Sequence, residues 1–184
     1  MRPGDGHEDA ARGRRLTVPA SEIYLVRHAI AADRGGEWPD DAKRPLTTRG
    51  IARFKEVVAG LDWLKVEIDE IFTSPLVRAR QTASLLAAGV AVKPPVKVLE
   101  ALAPGHAPAS VLQELTKAAR RSRVALVGHE PALGELAAHL IGSSRPLPFK
   151  KGGVCRIDIQ SFSSRRPGEL QWFLTPKILR ELGE

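Results

Sequence analysis

From Ser21 onward the apolar positions of the chain fall into short continuous runs separated by longer stretches of helical period. Ile23-Tyr24-Leu25-Val26 is such a run, the pattern of a strand buried on both faces. A polar, proline-bearing loop follows, and then Thr47 and Thr48 offer helix N-caps. Ile51, Phe54, Val57, Val58 and Leu61 recur behind them at the spacing of one helix face. Residues 68–72 predict a second strand, and residues 76–88 a helix with Gly89 as its expected stop. Pro94-Pro95 announces a third strand over 96–99, followed by a helix over 109–121 and a fourth strand over 124–127. Residues 131–141 predict a helix with Pro131 in its first turn. Two further strands over 154–159 and 170–174 and a short helix over 177–182 complete the pattern.

Strands that alternate with helices predict an α/β fold: a three-layer sandwich with a mainly parallel central sheet and helices on both faces. Residues 1–20 carry Gly, Arg, Asp and Pro without apolar periodicity and read as a disordered or loosely attached tail. The ordered domain is expected over 21–184. No repeat or low-complexity segment interrupts it, and 184 residues suit a single core.

Composition narrows the class. The single cysteine, Cys155, excludes a disulfide scaffold. No apolar run approaches the length of about 18 residues needed to cross a bilayer, and the first residues lack the apolar stretch of a secretory signal. A cytoplasmic protein without membrane contact is expected. Twenty-eight Lys and Arg against 21 Asp and Glu give a net charge of +7, which favours anionic partners. The basic residues are scattered and aromatics make up only 5% of the chain, which leaves little for base stacking. The surplus by itself does not choose among nucleic acid, anionic lipid and phosphorylated substrates, and a solvated surface rich in arginine accounts for most of it.

In open α/β sheets the ligand crevice lies at the carboxyl ends of the strands. Arg27-His28-Ala29 follows the first predicted strand, Thr73-Ser74-Pro75-Leu76-Val77-Arg78 the second, and Gly128-His129-Glu130-Pro131 the fourth. Two histidines and two arginines thus converge on one sheet edge. Guanidinium forks match phosphate oxygens and stay charged at any working pH. A neutral imidazole is a nucleophile near pH 7. His28 attacking phosphorus, with Arg27, Arg78 and His129 holding the equatorial oxygens, is phosphoryl transfer that needs no metal and no cofactor.

These residues resemble a known family. Arg27-His28 after an N-terminal strand, Arg44-Pro45-Leu46-Thr47, the stretch Ser74 to Thr82, and Gly128-His129-Glu130-Pro131 stand in the order seen in the histidine phosphatase superfamily, whose fold is that of phosphoglycerate mutases. The short chain and the Arg44-Pro45-Leu46-Thr47 element resemble its SixA-type phosphohistidine phosphatases. The resemblance spans roughly residues 22–182. It implies that His28 accepts the phosphoryl group, that Arg27 and Arg78 bind it, that His129 donates a hydrogen bond to it, and that Arg44 is an additional pocket arginine. Glu100, after the third strand, stands near the place of the general acid of larger members.

Ala29 stands where the superfamily usually has glycine. Arg80, two residues beyond Arg78, is expected on another side of its helix. His7, His106 and His139 read as structural or solvated. Ser161 stands six residues after Cys155, where a cysteine-phosphatase loop would need arginine. Trp38, Trp63 and Trp172 read as packing residues, with Trp38 also placed to line the pocket. The expected function is a phosphatase acting on phosphohistidine in a protein. The alternatives are a phosphomonoesterase for small metabolites and a non-catalytic module that binds phosphate or nucleic acid.

Overall fold

The computed structural model describes residues 21–184, so the tail expected over 1–20 lies outside the described residues. Six strands form one sheet: β1 (Ser21–Arg27), β2 (Glu70–Thr73), β3 (Val96–Val98), β4 (Arg123–Gly128), β5 (Val154–Ile159) and β6 (Glu169–Leu174). Their order across the sheet is β3-β2-β4-β1-β5-β6. β1 to β4 pair in parallel, while β5 runs antiparallel to both β1 and β6. This is the expected three-layer arrangement, with one strand reversed.

Five helices cover the sheet: α1 (Thr48–Trp63), α2 (Val77–Gly89), α3 (Pro108–Ala118), α4 (Ala132–Ile141) and α5 (Pro176–Leu182). Alternate strand residues serve opposite faces. Tyr24, Val26, Ile71, Ala125 and Val127 pack with Phe54, Val57 and Leu61 of α1, Leu86 of α2 and Leu179 of α5. Ile23, Leu25, Phe72, Val124 and Leu126 pack with Leu115 of α3 and Leu133, Leu136 and Leu140 of α4. Both faces are dry, which is why the central strands read as continuous apolar runs rather than alternating ones.

Four expectations need correction. Gly89 does not stop α2 with a left-handed turn; it is the last helical residue, and a Cβ there would stand 2.3 Å from Val58 Cγ1. The glycine serves the close approach of α1 and α2. Helix α3 ends at Ala118 rather than Arg121, because the Arg120 N–H is taken by the buried Glu70 carboxylate at 3.0 Å. β3 is an edge strand whose Val96 and Val98 remain exposed. Trp63 is 60% exposed and is not a packing residue, since it follows Leu61 by two positions and so points away from the α1 core face. Trp172 does pack, against Tyr24 with ring centroids 6.0 Å apart.

Candidate active site

Parallel pairing sets three strand ends side by side. Arg27 is opposite Gly128 and Thr73 is opposite Val127 in the registers of β1 and β2 with β4. The ladder continues one residue further: His28 N donates to the Gly128 carbonyl at 3.1 Å and Ser74 N to that of Val127 at 3.0 Å. His28, Ser74 and His129 therefore leave the sheet at one level. The two imidazole centroids are 5.0 Å apart.

His28 is 6% exposed. Its Nδ1 lies 2.7 Å from the Ala29 carbonyl, which can only accept, so the ring proton sits on Nδ1. The neutral ring then carries its lone pair on Nε2. Burial pushes the His28 pKa down to about 4, and the nearby cations of Arg78, Arg27 and Lys151 push the same way against the Ala29 hydrogen bond. His28 is thus an uncharged base at neutral pH.

His129 is held through the other ring nitrogen, Nε2, so its Nδ1 is the nitrogen left free toward the site. The Ser74 hydroxyl accepts from Leu76 N at 3.3 Å, which leaves its own proton for His129 Nε2 at 2.8 Å. Nδ1 of His129 is then an N–H donor, and it is buried without a partner. Burial, followed by the His28 and Arg78 charges, lowers the His129 pKa to about 3.

The arginines are held from behind. Arg27 donates through one terminal nitrogen to the Phe149 carbonyl at 2.5 Å, and its Nε is buried without a partner. Arg78, 3% exposed, spends both terminal nitrogens on Asp41: one on the carbonyl at 2.7 Å, the other on Oδ2 at 2.9 Å. Its Nε is likewise left unpaired. Arg44 donates from Nε to Asp41 Oδ1 at 2.8 Å and from a terminal nitrogen to the Ala32 carbonyl at 2.5 Å. Exposed Arg34 reaches the same Asp41 oxygen at 2.9 Å. Burial alone would raise the Asp41 carboxyl, but Arg78 and Arg44 hold it below its ordinary value.

The loop carrying these groups is pinned locally. Residues 44–47 fold back on 30–32: Ala32 N bonds to the Pro45 carbonyl, Thr47 N to that of Ile30, and Leu46 N to Gln81 Oε1. Thr82 Oγ1 on α2 accepts from Ala29 N at 3.1 Å and donates to the Arg78 carbonyl at 2.7 Å. It thus links the backbone after His28 to the helix that bears Arg78. Ala29 is buried in the core with φ in the ordinary range, so its methyl replaces nothing that glycine would need.

Of the residues predicted from sequence, His28, His129, Arg27, Arg78 and Arg44 are gathered here. Glu100 is not. It is exposed at the start of a short 3-10 helix (Glu100–Leu102) after β3 and makes no side-chain hydrogen bond or ion pair with the described residues. Arg80 points away, lining a cavity of about 460 Å³ with Ile51, Val77 and Gln81. His106 and His139 are exposed, and burial pushes the Cys155 thiol up to about 12.

Sequence reasoning missed Asp41, Ser74 as the partner of His129, and the Phe149–Gly152 loop, whose Gly152 N bonds to the Arg27 and His28 carbonyls. The Asp41-to-Arg44 spacing of one turn was a readable signal. Nothing local marks Ser74 or Phe149. Among the described residues no three His, Cys, Asp or Glu side chains stand together as metal ligands, and no helix is long and apolar enough to cross a membrane.

Comparison with known proteins bears on the family and the fold. Residues 23–104 match the histidine phosphatase superfamily (branch 1). An uncharacterized protein of Picosynechococcus sp. is 40% identical over 166 residues, covering 86% of this chain and 98% of its own. The phosphohistidine phosphatase SixA of Escherichia coli K12 is 28% identical over 162 residues, covering 86% of this chain and 96% of its own. A solved structure of the protein histidine phosphatase SixA complexed with tungstate superposes with a TM-score of 0.74 at 26% identity, covering 86% of this chain and 99% of that one. A structure from Agrobacterium tumefaciens, at 22% identity and a TM-score of 0.71, shares the fold. The order of motifs, the shared fold and these relatives together place the chain in the histidine phosphatase superfamily, among its SixA-type phosphatases.

Proposed function

We propose that the chain hydrolyses phosphohistidine in a protein through a covalent phosphohistidine at its own His28. One observation carries this reading: three buried donors without partners, Arg27 Nε, Arg78 Nε and His129 Nδ1, accompany an imidazole whose Nε2 is an unprotonated nucleophile. Buried donors left unpaired cost about 1–3 kcal/mol each. An oxyanion at Nε2 satisfies them together and is the ligand class that matches their charge.

The step balances as follows. The Nε2 lone pair attacks phosphorus, and the bond from phosphorus to the leaving group breaks. Arg27, Arg78 and His129 hold the equatorial oxygens as charge spreads over them. Water then attacks the phosphorus on His28, releases inorganic phosphate and returns the neutral ring. The arginines supply the positive charge that a metal supplies elsewhere.

The leaving group decides the substrate. An alkoxide needs a proton, and general acid catalysis is worth about 10²–10⁴-fold. Glu100, the carboxylate that the sequence resemblance suggests for that role, makes no side-chain hydrogen bond to the cluster among the described residues. An imidazole protonated on its far nitrogen leaves as a neutral ring and needs no such donor. The site therefore suits a labile P–N bond. The SixA relatives, named as phosphohistidine phosphatases, support the same substrate.

Incubation with radiolabelled phosphoramidate is expected to label the protein with an acid-labile, alkali-stable phosphate. His28→Ala is expected to abolish both the label and turnover of phosphohistidine. Turnover at the parent rate in His28→Ala would overturn the mechanism.

A further inference from the structure

A second basic feature adjoins the catalytic cluster on its α1 and α5 side. A recess of about 110 Å³ has a largely apolar floor that includes Ala29, Phe54 and Val57, and Arg53, Lys151, Lys177 and Arg180 also line it. It lies against the backbone of the nucleophile: Ala29 follows His28, and Gly152 N donates to the His28 carbonyl at 3.2 Å. Four cations line it and no carboxylate does. Two of the cations have counter-ions elsewhere: Arg180 lies 3.4 Å from Glu56 and Lys177 3.7 Å from Glu181, both exposed carboxylates. Arg53 and Lys151 have no carboxylate within 4 Å among the described residues.

Lys151 adds to the positive field on His28, while Arg53, Lys177 and Arg180 have no part in the mechanism. The predicted phosphate ligands, Arg27 and Arg78, are not among the residues that line the recess; they are held by the Phe149 carbonyl and by Asp41. A cavity of this size holds about three waters, or one carboxymethyl group. Lys151 in its wall is near enough to His28 for its charge to act on the imidazole, so a residue close in sequence to a bound phosphohistidine comes within reach of these cations.

We propose that this recess is a specificity subsite for an acidic side chain, Asp or Glu, flanking the phosphohistidine of the protein substrate. Charge complementarity at such a site acts on encounter and on ground-state binding, so it is read in KM and weakens with salt. The inference rests on the phosphohistidine reading above, and the experiment separates the two.

The probes are free phosphohistidine and two short peptides phosphorylated on histidine with phosphoramidate, one with glutamate beside the histidine and one with glutamine there. The parent enzyme is expected to prefer the glutamate peptide by about tenfold in kcat/KM, through KM, and to lose that preference in 0.5 M salt, where screening shortens to a few Å. Arg53→Glu combined with Lys177→Glu is expected to erase or reverse the preference while leaving free phosphohistidine turnover within twofold, which also reports that the variant is folded. Arg53→Gln with Lys177→Gln is expected to fall between the two. Equal kcat/KM for the peptides in the parent enzyme, or a preference that survives the charge reversal, overturns the subsite and leaves the phosphatase reading standing. Failure of the parent enzyme on free phosphohistidine and on both peptides overturns the phosphatase reading itself.

Discussion

The two histidines show how a residue's neighbours assign its chemistry. His28 and His129 have the same side chain and similar burial, but a carbonyl faces Nδ1 of one and a hydroxyl faces Nε2 of the other. The first is left with a lone pair toward the site and the second with a proton. Asp41 adds a second lesson. Its carboxylate carries the guanidiniums of Arg34, Arg44 and Arg78, so it both fixes Arg78 and subtracts from the positive field. Replacing it separates the two effects. In Asp41→Asn the lost negative charge is expected to tighten binding of tungstate, a phosphate-like oxyanion, by about threefold. The loosened Arg78 is expected to lower kcat by about tenfold, the size of one charge-assisted hydrogen bond. Calorimetric titration with tungstate beside steady-state kinetics reads both. Weaker tungstate binding would mean that Asp41 acts only by holding the arginines.

Among the elements, the closest approaches are made where glycine removes a side chain. α1 and α5 meet at Gly60, where a Cβ would stand 1.8 Å from the Leu179 carbonyl oxygen. Alanine is favoured over glycine in a helix by about 1 kcal/mol, but here the obstacle is backbone, which cannot swing aside. Gly60→Ala is therefore expected to destabilise by about 1–3 kcal/mol, seen as a lower urea midpoint. A gain in stability would show that α5 can shift without loss. At the other end of α1, the Thr47 hydroxyl caps the helix through Gly50 N at 2.9 Å. That cap sets where the loop bearing Asp41 and Arg44 ends and the helix begins.

The whole molecule couples these features to pH. The folded values of His28 and His129, about 4 and about 3, lie below the 6.5 of the unfolded chain. Below pH 6.5 the unfolded chain binds two protons that the folded one refuses. Stability is therefore expected to fall as pH drops from 6.5 toward 4, with a slope approaching about 1.4 kcal/mol per pH unit for each histidine. The carboxylates held below their ordinary values, Asp41 and Glu70, contribute only at lower pH. Urea unfolding at pH 6.5, 5.5 and 4.5 is expected to show this decline, and His129→Gln to halve it. A slope unchanged in that variant would assign the proton uptake elsewhere.

The order of strands and helices, the dryness of both sheet faces and the set of His28, His129, Arg27, Arg44 and Arg78 were determined by the chain's own pattern, because they depend on local periodicity and on short motifs at strand ends. The exceptions follow from contacts that no local pattern records. Arg120 leaves its helix for a carboxylate on another strand, Gly89 serves a neighbouring helix rather than a turn, and Trp63 faces away from the core. Ser74, Asp41, Phe149 and the cations beside Ala29 belong to the same class. Only the tertiary structure decided which nitrogen of each imidazole holds its proton and which donors remain unpaired. For His129 the deciding partner is Ser74, far away in the chain and brought within reach only by the parallel pairing of β2 and β4; for His28 it is the adjacent Ala29 carbonyl, which the folded backbone turns toward the ring.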